Sequence, residues 1–322
     1  MEMIRQPFFW IMTAVIALFA LLPPLTHDVG LRESLFLAAV YIILAGNLNL
    51  LIGYTGYVNF GNIVFFGLGG YLGLWLVTVF RLPLVVAALL AGLAVAAMTA
   101  ALWCRILRLR GAYFALASIG IAEATKAFVS NFEPWGGATG LYLPMGAFKA
   151  MGGPREALWT VYFLMVAVMA ATLYLSYAVK KSKFGLGLFA IREDEEAAGV
   201  LGVRTPYYKT LACTLSGVLP AVAGTLFFFK NGVIQPEQAF DLTLSTEAIV
   251  MLMLGGQGTV TGAALGAFLY EQFRGYLLIS PTFSSFQLVI AGALLLVTVL
   301  FMPGGLMGWV YQRWPRLRRI LE

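Results

Sequence analysis

Ser34 to Asn62 reads SLFLAAVYIILAGNLNLLIGYTGYVNFGN, and the fold turns on this stretch. Its first nineteen residues, 34–52, carry no charged side chain. A run of about 20 mainly apolar residues is what an α-helix needs to cross a bilayer. The following ten residues break that run with Gly53, Gly56 and Gly61 and with the amides Asn59 and Asn62. At membrane depth, irregular backbone survives only where protein buries it or where it lines a wet cavity. Two readings stand: a broken or re-entrant segment beside a transport path, or a cytoplasmic loop between two helices. Asn47 and Asn49 favour the path, because amides inside a span prefer an interior face. A second break, Gly255-Gly256-Gln257-Gly258-Thr259, follows a short apolar run. Asn47, Asn49, Asn59, Asn62 and Gln257 are therefore candidate path residues.

Working outward, comparable apolar runs occur at 8–26, 34–52, 64–80, 83–103, 111–129, 158–179, 207–229, 244–256, 262–279 and 285–302. The eighth is too short to cross unaided and is expected to be broken or to continue past Gly255-Gly256. Of the 322 residues, 61% are hydrophobic and 11% charged, and the mean hydropathy is +0.87. Soluble domains carry roughly a quarter charged residues. The expected fold is an all-α, polytopic transmembrane bundle of about 10 spans, a single transmembrane domain over residues 1–322. Residues 8–22 have the length of a signal-peptide core, but Pro23-Pro24 follows where a small-residue cleavage pattern belongs, so a retained first helix is expected.

The net charge of +6 is distributed, not pooled as a nucleic-acid surface. With the N-terminus inside, fourteen Lys and Arg fall in cytoplasmic segments, among them Arg105, Arg110, Lys180, Lys181, Arg192, Lys209 and Arg316. Five (Arg32, Arg81, Lys149, Arg155, Lys230) fall outside. That bias places both termini and Lys180–Tyr208 in the cytoplasm and the turn-rich loop 131–157 outside. Cys104 and Cys213 form no spaced pattern, and the single histidine, His27, leaves no metal or nucleophile–base constellation.

Charges inside the spans are few. Glu123 and Lys126 sit three apart on the fifth run and share a helix face. A charge at mid-bilayer costs about +3 kcal/mol on insertion scales. Glu123 reads either as a path lining or proton carrier, or as half of an internal ion pair. Glu247, after Ser245 and Thr246, reads as an acid in the first turn of a helix. Glu271 and Arg274 read as a structural pair. Gly258, Gly262 and Gly266, like Gly92, Ala96 and Ala100, recur every four residues as helix-packing stripes.

Between the sixth and seventh runs, residues 185–206 combine acids at 193–196 with apolar Val200 and Leu201 and with Gly199 and Gly202. Acids suit a helix's first turn and glycine its end. A short surface helix over 193–202 is expected. Its acidic start would be repelled by anionic headgroups, so a protein partner suits it better than the membrane surface.

Glu196-Ala197-Ala198, followed after three residues by Gly202, resembles the start of the EAA signature of ABC importer permeases. Gly53–Gly73, the run Leu109–Leu116 with Glu123 after it, Gly185–Lys209 and Leu254–Gly262 together resemble the LivM-type permease family of branched-chain amino-acid importers. The resemblance covers about residues 34–308. It implies a type II importer permease that is not an enzyme, sits in the bacterial inner membrane and pairs with a homologous second permease. It further implies two cytoplasmic ATPase subunits and a periplasmic solute-binding protein, with ATP bound by those subunits. No Gly-x4-Gly-Lys-Ser/Thr loop occurs in this chain. The coupling loop would be 185–206, with Arg192, Glu195, Glu196, Ala197, Val200, Leu201 and Gly202 as its ATPase-facing residues. Asn62, Thr139 and Gln235-Pro236 depart from residues usual in the family, so the solute stays open among branched-chain amino acids, related amino acids and amides. The competing class is an ion-coupled secondary transporter with Glu123 as carrier.

Overall fold

The computed structural model describes residues 7–279, 289, 292–293, 296, 300–302 and 304–314. The tenth apolar run, 285–302, lies mostly outside the described residues, as do Arg5, Arg316, Arg318 and Arg319. The chain is a helical bundle: α1 (Pro7–Thr26), α2 (Val29–Thr55), α3 (Asn62–Val79), α4 (Leu84–Ile106), α5 (Ala112–Asn131), β1 (Leu141–Tyr142), α6 (Met145–Lys149), α7 (Pro154–Lys181), α8 (Lys183–Glu193), α9 (Glu195–Val200), α10 (Thr205–Asn231), β2 (Val233–Ile234), α11 (Pro236–Ala239), α12 (Leu242–Gly255), α13 (Val260–Ile279) and a last helix, Gly305–Arg313.

Among the described residues, seven helices (α1–α5, α7 and α10) are long and apolar enough to cross a membrane, and they fall on the first seven runs. The eighth and ninth runs form a pair, α11–α12 and α13, bent by 120° at the glycine break. These elements agree with the expected all-α bundle of about 10 spans.

Local chemistry sets the helix ends. Asp28, Ser182, Asp194 and Asp241 each accept backbone N–H bonds from the first turn of α2, α8, α9 and α12. Gly56 and Gly232 close α2 and α10 in the left-handed conformation. Because the Asp241 cap starts α12 at Leu242, Glu247 lies in the second turn rather than the first, and it is buried.

At 27 residues, α2 is about 40 Å long, enough for a bilayer core of about 30 Å. It is the bundle's axis, with 94% of its most apolar window buried. Beside it α3 and α10 pack backbone to backbone: a Cβ on Gly69 would lie 2.2 Å from the Ala221 carbonyl oxygen. Without a hydrophobic driving force between helices in lipid, such close approach is what holds spans together. The glycine stripe does the same at the bend, where Gly255 of α12 lies against Gly262 and Gly266 of α13. At one end of the bundle β1 and β2 pair antiparallel, Leu141 opposite Ile234. This ribbon ties loop 131–157 to the α10–α12 connection. At the opposite end sit α8 and α9.

Candidate functional site

At the α9 end, the helix expected over 193–202 forms as α9, Glu195–Val200, and a separate helix, α8, precedes it. Asp194 interrupts the chain in an extended conformation, and its carboxylate caps α9 through the Glu196 and Ala197 N–H groups at 2.9 and 3.0 Å. α8 buries Gly185, Gly187, Leu188 and Ile191 against the bundle. α9 does the reverse: Val200 and Leu201 are 88% and 83% exposed, and Glu196 and Ala197 are exposed too. Gly202 turns the chain away at φ +91°, a conformation that favours glycine.

Two of the expected partner-facing residues point inward instead. Arg192 Nη1 donates to the Gly53 carbonyl at 2.6 Å, fastening α8 to the end of α2. Glu195 Oε1 pairs with Lys209 Nζ at 2.7 Å, and its Oε2 accepts from the Tyr57 hydroxyl. Lys209, only 3% exposed, also donates to the Leu107 carbonyl at 2.7 Å and to the Tyr57 hydroxyl at 3.0 Å. Arg110 reaches Glu196 at 2.8 Å and Glu195 at 3.9 Å. Burial pushes the Glu195 carboxyl up, but the hydrogen bonds from Lys209 and Tyr57, with the charges of Lys209 and Arg110, outweigh it and hold it below its ordinary value. Burial, and then the bond to Glu195, push the Tyr57 phenol up.

The candidate path residues divide. Asn49 is spent on the second break: its Oδ1 accepts from Gly258 N–H at 2.8 Å and its Nδ2 donates to the Thr259 carbonyl at 3.1 Å. Gln257 lies half-buried in that break. Asn47, two residues from Asn49, faces α7, donating to Thr172 at 3.1 Å. Asn59 and Asn62 come together in the first break, which is bound to α5 by Phe60 N–H to Ser118 Oγ (3.0 Å) and to α12 by Ile63 N–H to Ser245 Oγ (3.1 Å). Asn47 Oδ1, Asn59 Nδ2 and Asn62 Oδ1 are buried with no hydrogen-bond partner among the described residues. Such atoms cost about 1–3 kcal/mol each when left dry.

Glu123 stands apart, exposed near the middle of α5. The ion pair that its spacing from Lys126 allows does not form. Lys126 pairs with Glu237 of α11 at 2.6 Å, because the α10–α12 connection folds over the end of α5. The same connection adds Phe240 to a stack with Tyr71 and Trp135, centroids 6.0 and 5.5 Å apart.

The fold also gathers a buried polar cluster from α2, α12 and α13. Tyr41 donates to Glu247 at 3.2 Å, the Glu271–Arg274 pair forms at 2.9 Å, and Arg274 lies 5.1 Å from the Tyr41 ring centre. The i, i+3 spacing signalled the pair; nothing local signalled Tyr41. Among the described residues no group of three or more His, Cys, Asp or Glu is placed to hold a metal ion.

Span-length helices, two glycine breaks between them and an exposed knob on an anchored loop are the build of a polytopic membrane protein. The sequence profile described as the permease component of branched-chain amino acid transport systems matches residues 30–299, and the chain belongs to that family. The high-affinity branched-chain amino acid transport system permease protein LivM of Escherichia coli (strain K12) is 26% identical over 301 residues, 86% of this chain and 70% of its own length. LivM of Salmonella typhimurium is 27% identical, covering 83% and 68%. The autoinducer 2 import system permease protein LsrC of Photorhabdus laumondii is 31% identical over 144 residues, 44% of this chain and 42% of its own. No solved structure matches. This chain is thus a membrane permease of the ABC importer class and not an enzyme, in a family whose members work with ATPase and binding-protein partners.

Proposed function

We propose that the chain forms, with a homologous second permease, the translocation path for a small polar solute in the bacterial inner membrane. A branched-chain amino acid, or a related amino acid or amide, is the solute that the LivM relatives favour. The α9 end faces the cytoplasm, with both termini, and two ATPase subunits dock there and bind the ATP. The β-ribbon end, with loop 131–157, faces a periplasmic solute-binding protein. The path runs along the open face of α5, bordered by Glu123 and by Asn59 and Asn62, whose Nδ2 and Oδ1 atoms find no partner among the described residues. Asn47 and Asn49 support it by holding α2 to its neighbours, and Gln257 lies in the second break that Asn49 binds.

The observation that carries this reading is the exposure of Val200 and Leu201 on a helix otherwise fastened to the bundle. Burying an aliphatic side chain contributes about 1.5–3 kcal/mol. A double change, Val200→Asp with Leu201→Asp, should release the ATPases on co-purification and abolish uptake, while the permease still inserts. Wild-type association and uptake would sink the assignment of α9 as the coupling element. Orientation has its own test, with Cys104 and Cys213 replaced. On intact cells an impermeant thiol reagent should label Lys149→Cys and spare Leu201→Cys; the reverse pattern overturns the topology.

A further inference from the structure

Glu195 opens α9, yet its carboxylate is turned away from the exposed knob into the bundle. There it closes a ring with Lys209 and Tyr57. All three ammonium protons of Lys209 are used, on Leu107 O, Glu195 Oε1 and the Tyr57 hydroxyl. That hydroxyl accepts from Lys209 and donates to Glu195 Oε2, so each carboxylate oxygen has its own partner. Four elements meet in the ring: α9, the start of α10, the α4–α5 turn and the α2–α3 break. From Tyr57 the contact continues inward. Its ring lies edge-on to Phe114 in the first turn of α5, centroids 5.3 Å apart, and three residues along the chain Phe60 N–H binds Ser118 of α5.

A buried ion pair adds little net stability over apolar packing of the same volume, so stability does not account for a charged ring at this place. What charge-assisted bonds supply is fixed direction. We infer that the Glu195–Lys209–Tyr57 ring is the transmission of the importer, carrying movement of α9 to the α2–α3 break and to α5. Lys209 and Tyr57 are positioning residues in this scheme. They touch neither solute nor ATPase; they set where the Asn59–Asn62 break and the Glu123 helix stand for each position of α9. The inference rests on the reading of α9 as the ATPase docking element.

The test uses the whole transporter, permeases, ATPases and binding protein, in vesicles, with labelled leucine as the solute. Co-purification, ATP hydrolysis and uptake are measured on the same preparation. Tyr57→Phe removes one hydroxyl and leaves the Glu195–Lys209 pair in place. It should keep the ATPases bound and hydrolysing while uptake per ATP falls about tenfold, the effect of one charge-assisted hydrogen bond. The joint change Glu195→Gln with Lys209→Met should lower uptake per ATP further with assembly retained; if it fails to insert, Tyr57→Phe decides alone. Unchanged uptake per ATP in Tyr57→Phe overturns the transmission, while the Val200/Leu201 result still stands for docking. Loss of the ATPases in Tyr57→Phe also overturns it, since the ring would then only seat α9. Should the Val200/Leu201 change leave association and uptake intact, docking reading and transmission fall together.

Discussion

α2 and α5 are both uncharged enough and long enough to cross a membrane, and they meet opposite fates. α2 has a mean hydropathy of 2.2 and 94% of its window buried; α5 has 1.3 and 22%. The more apolar helix is the one hidden from the membrane, and the more polar one stands at the rim. The polar groups explain the inversion. Asn49 is consumed by Gly258 and Thr259, so α2's amides fasten the bundle from within. Glu123 is exposed near mid-span of α5, where facing lipid would cost about +3 kcal/mol. On the function proposed above, α5 is an unfinished face, completed by the second permease or by the water of the path.

The sharpest way to break this contrast is at glycine. On Gly53 of α2 a Cβ would lie 1.8 Å from Asn49 Oδ1 and 2.7 Å from the Gly258 nitrogen; on Gly120 of α5 it would meet nothing within 4 Å. Gly53→Val should abolish a monodisperse, detergent-solubilised permease, since overpacking costs about 1–3 kcal/mol and here also evicts a clamp. Gly120→Val should fold with an unchanged melting temperature and lose co-purification with the second permease. Equal behaviour of the two variants would erase the distinction between axis and rim.

A smaller effect is expected at the polar groups themselves. Glu123→Leu should leave thermal stability within about 0.5 kcal/mol, as for a surface change, while reconstituted uptake collapses. A large drop in stability would mean that Glu123 belongs to the fold. Asn49→Leu should do the opposite. It strands the Gly258 N–H and the Thr259 carbonyl, at about 1–3 kcal/mol each, and lowers the melting temperature with faster hydrogen exchange at Gly258. Protection at Gly258 equal to wild type would show that the break does not depend on α2.

The spans were legible because hydropathy is a local property: each of the first seven runs is one helix, and the glycine-rich break from 255 to 259 is where α12 gives way to α13. The knob was legible for the same reason, acids first and glycine last. What escaped was set by distant partners. Lys209 counts in the sequence as one more cytoplasmic cation, but its ring joins residues 14, 102 and 152 positions away. Glu195 reads as part of an acidic helix start, and only the fold shows it facing inward while Glu196 stays outside. The i, i+3 spacing allows Glu123 to meet Lys126, but Glu237 arrives from α11 and takes the lysine. Glu247 falls outside the first turn because the Asp241 cap lies six residues before it.

The last and smallest expected effect concerns pH, and it separates the α9 end from α2. Glu195 is the group concerned, faced by Lys209, Tyr57 and Arg110, with Glu196 beside it. Its folded pKa lies below the ordinary value of about 4.3. A carboxyl depressed on folding stabilises the structure above its unfolded pKa, and that contribution is lost only as pH falls through the folded value. Across pH 5–8 the Glu195 carboxylate therefore stays ionised, and uptake per ATP should be flat so far as its seating of α9 governs it. Below about pH 4, hydrogen exchange at the α9 amides should rise before exchange at α2, whose Asn47 and Asn49 do not titrate. Glu195→Gln should remove that acid onset and leave the α2 amides as they were. A step in α9 protection between pH 5 and 8 would contradict the depressed carboxyl and assign the seating to some other group.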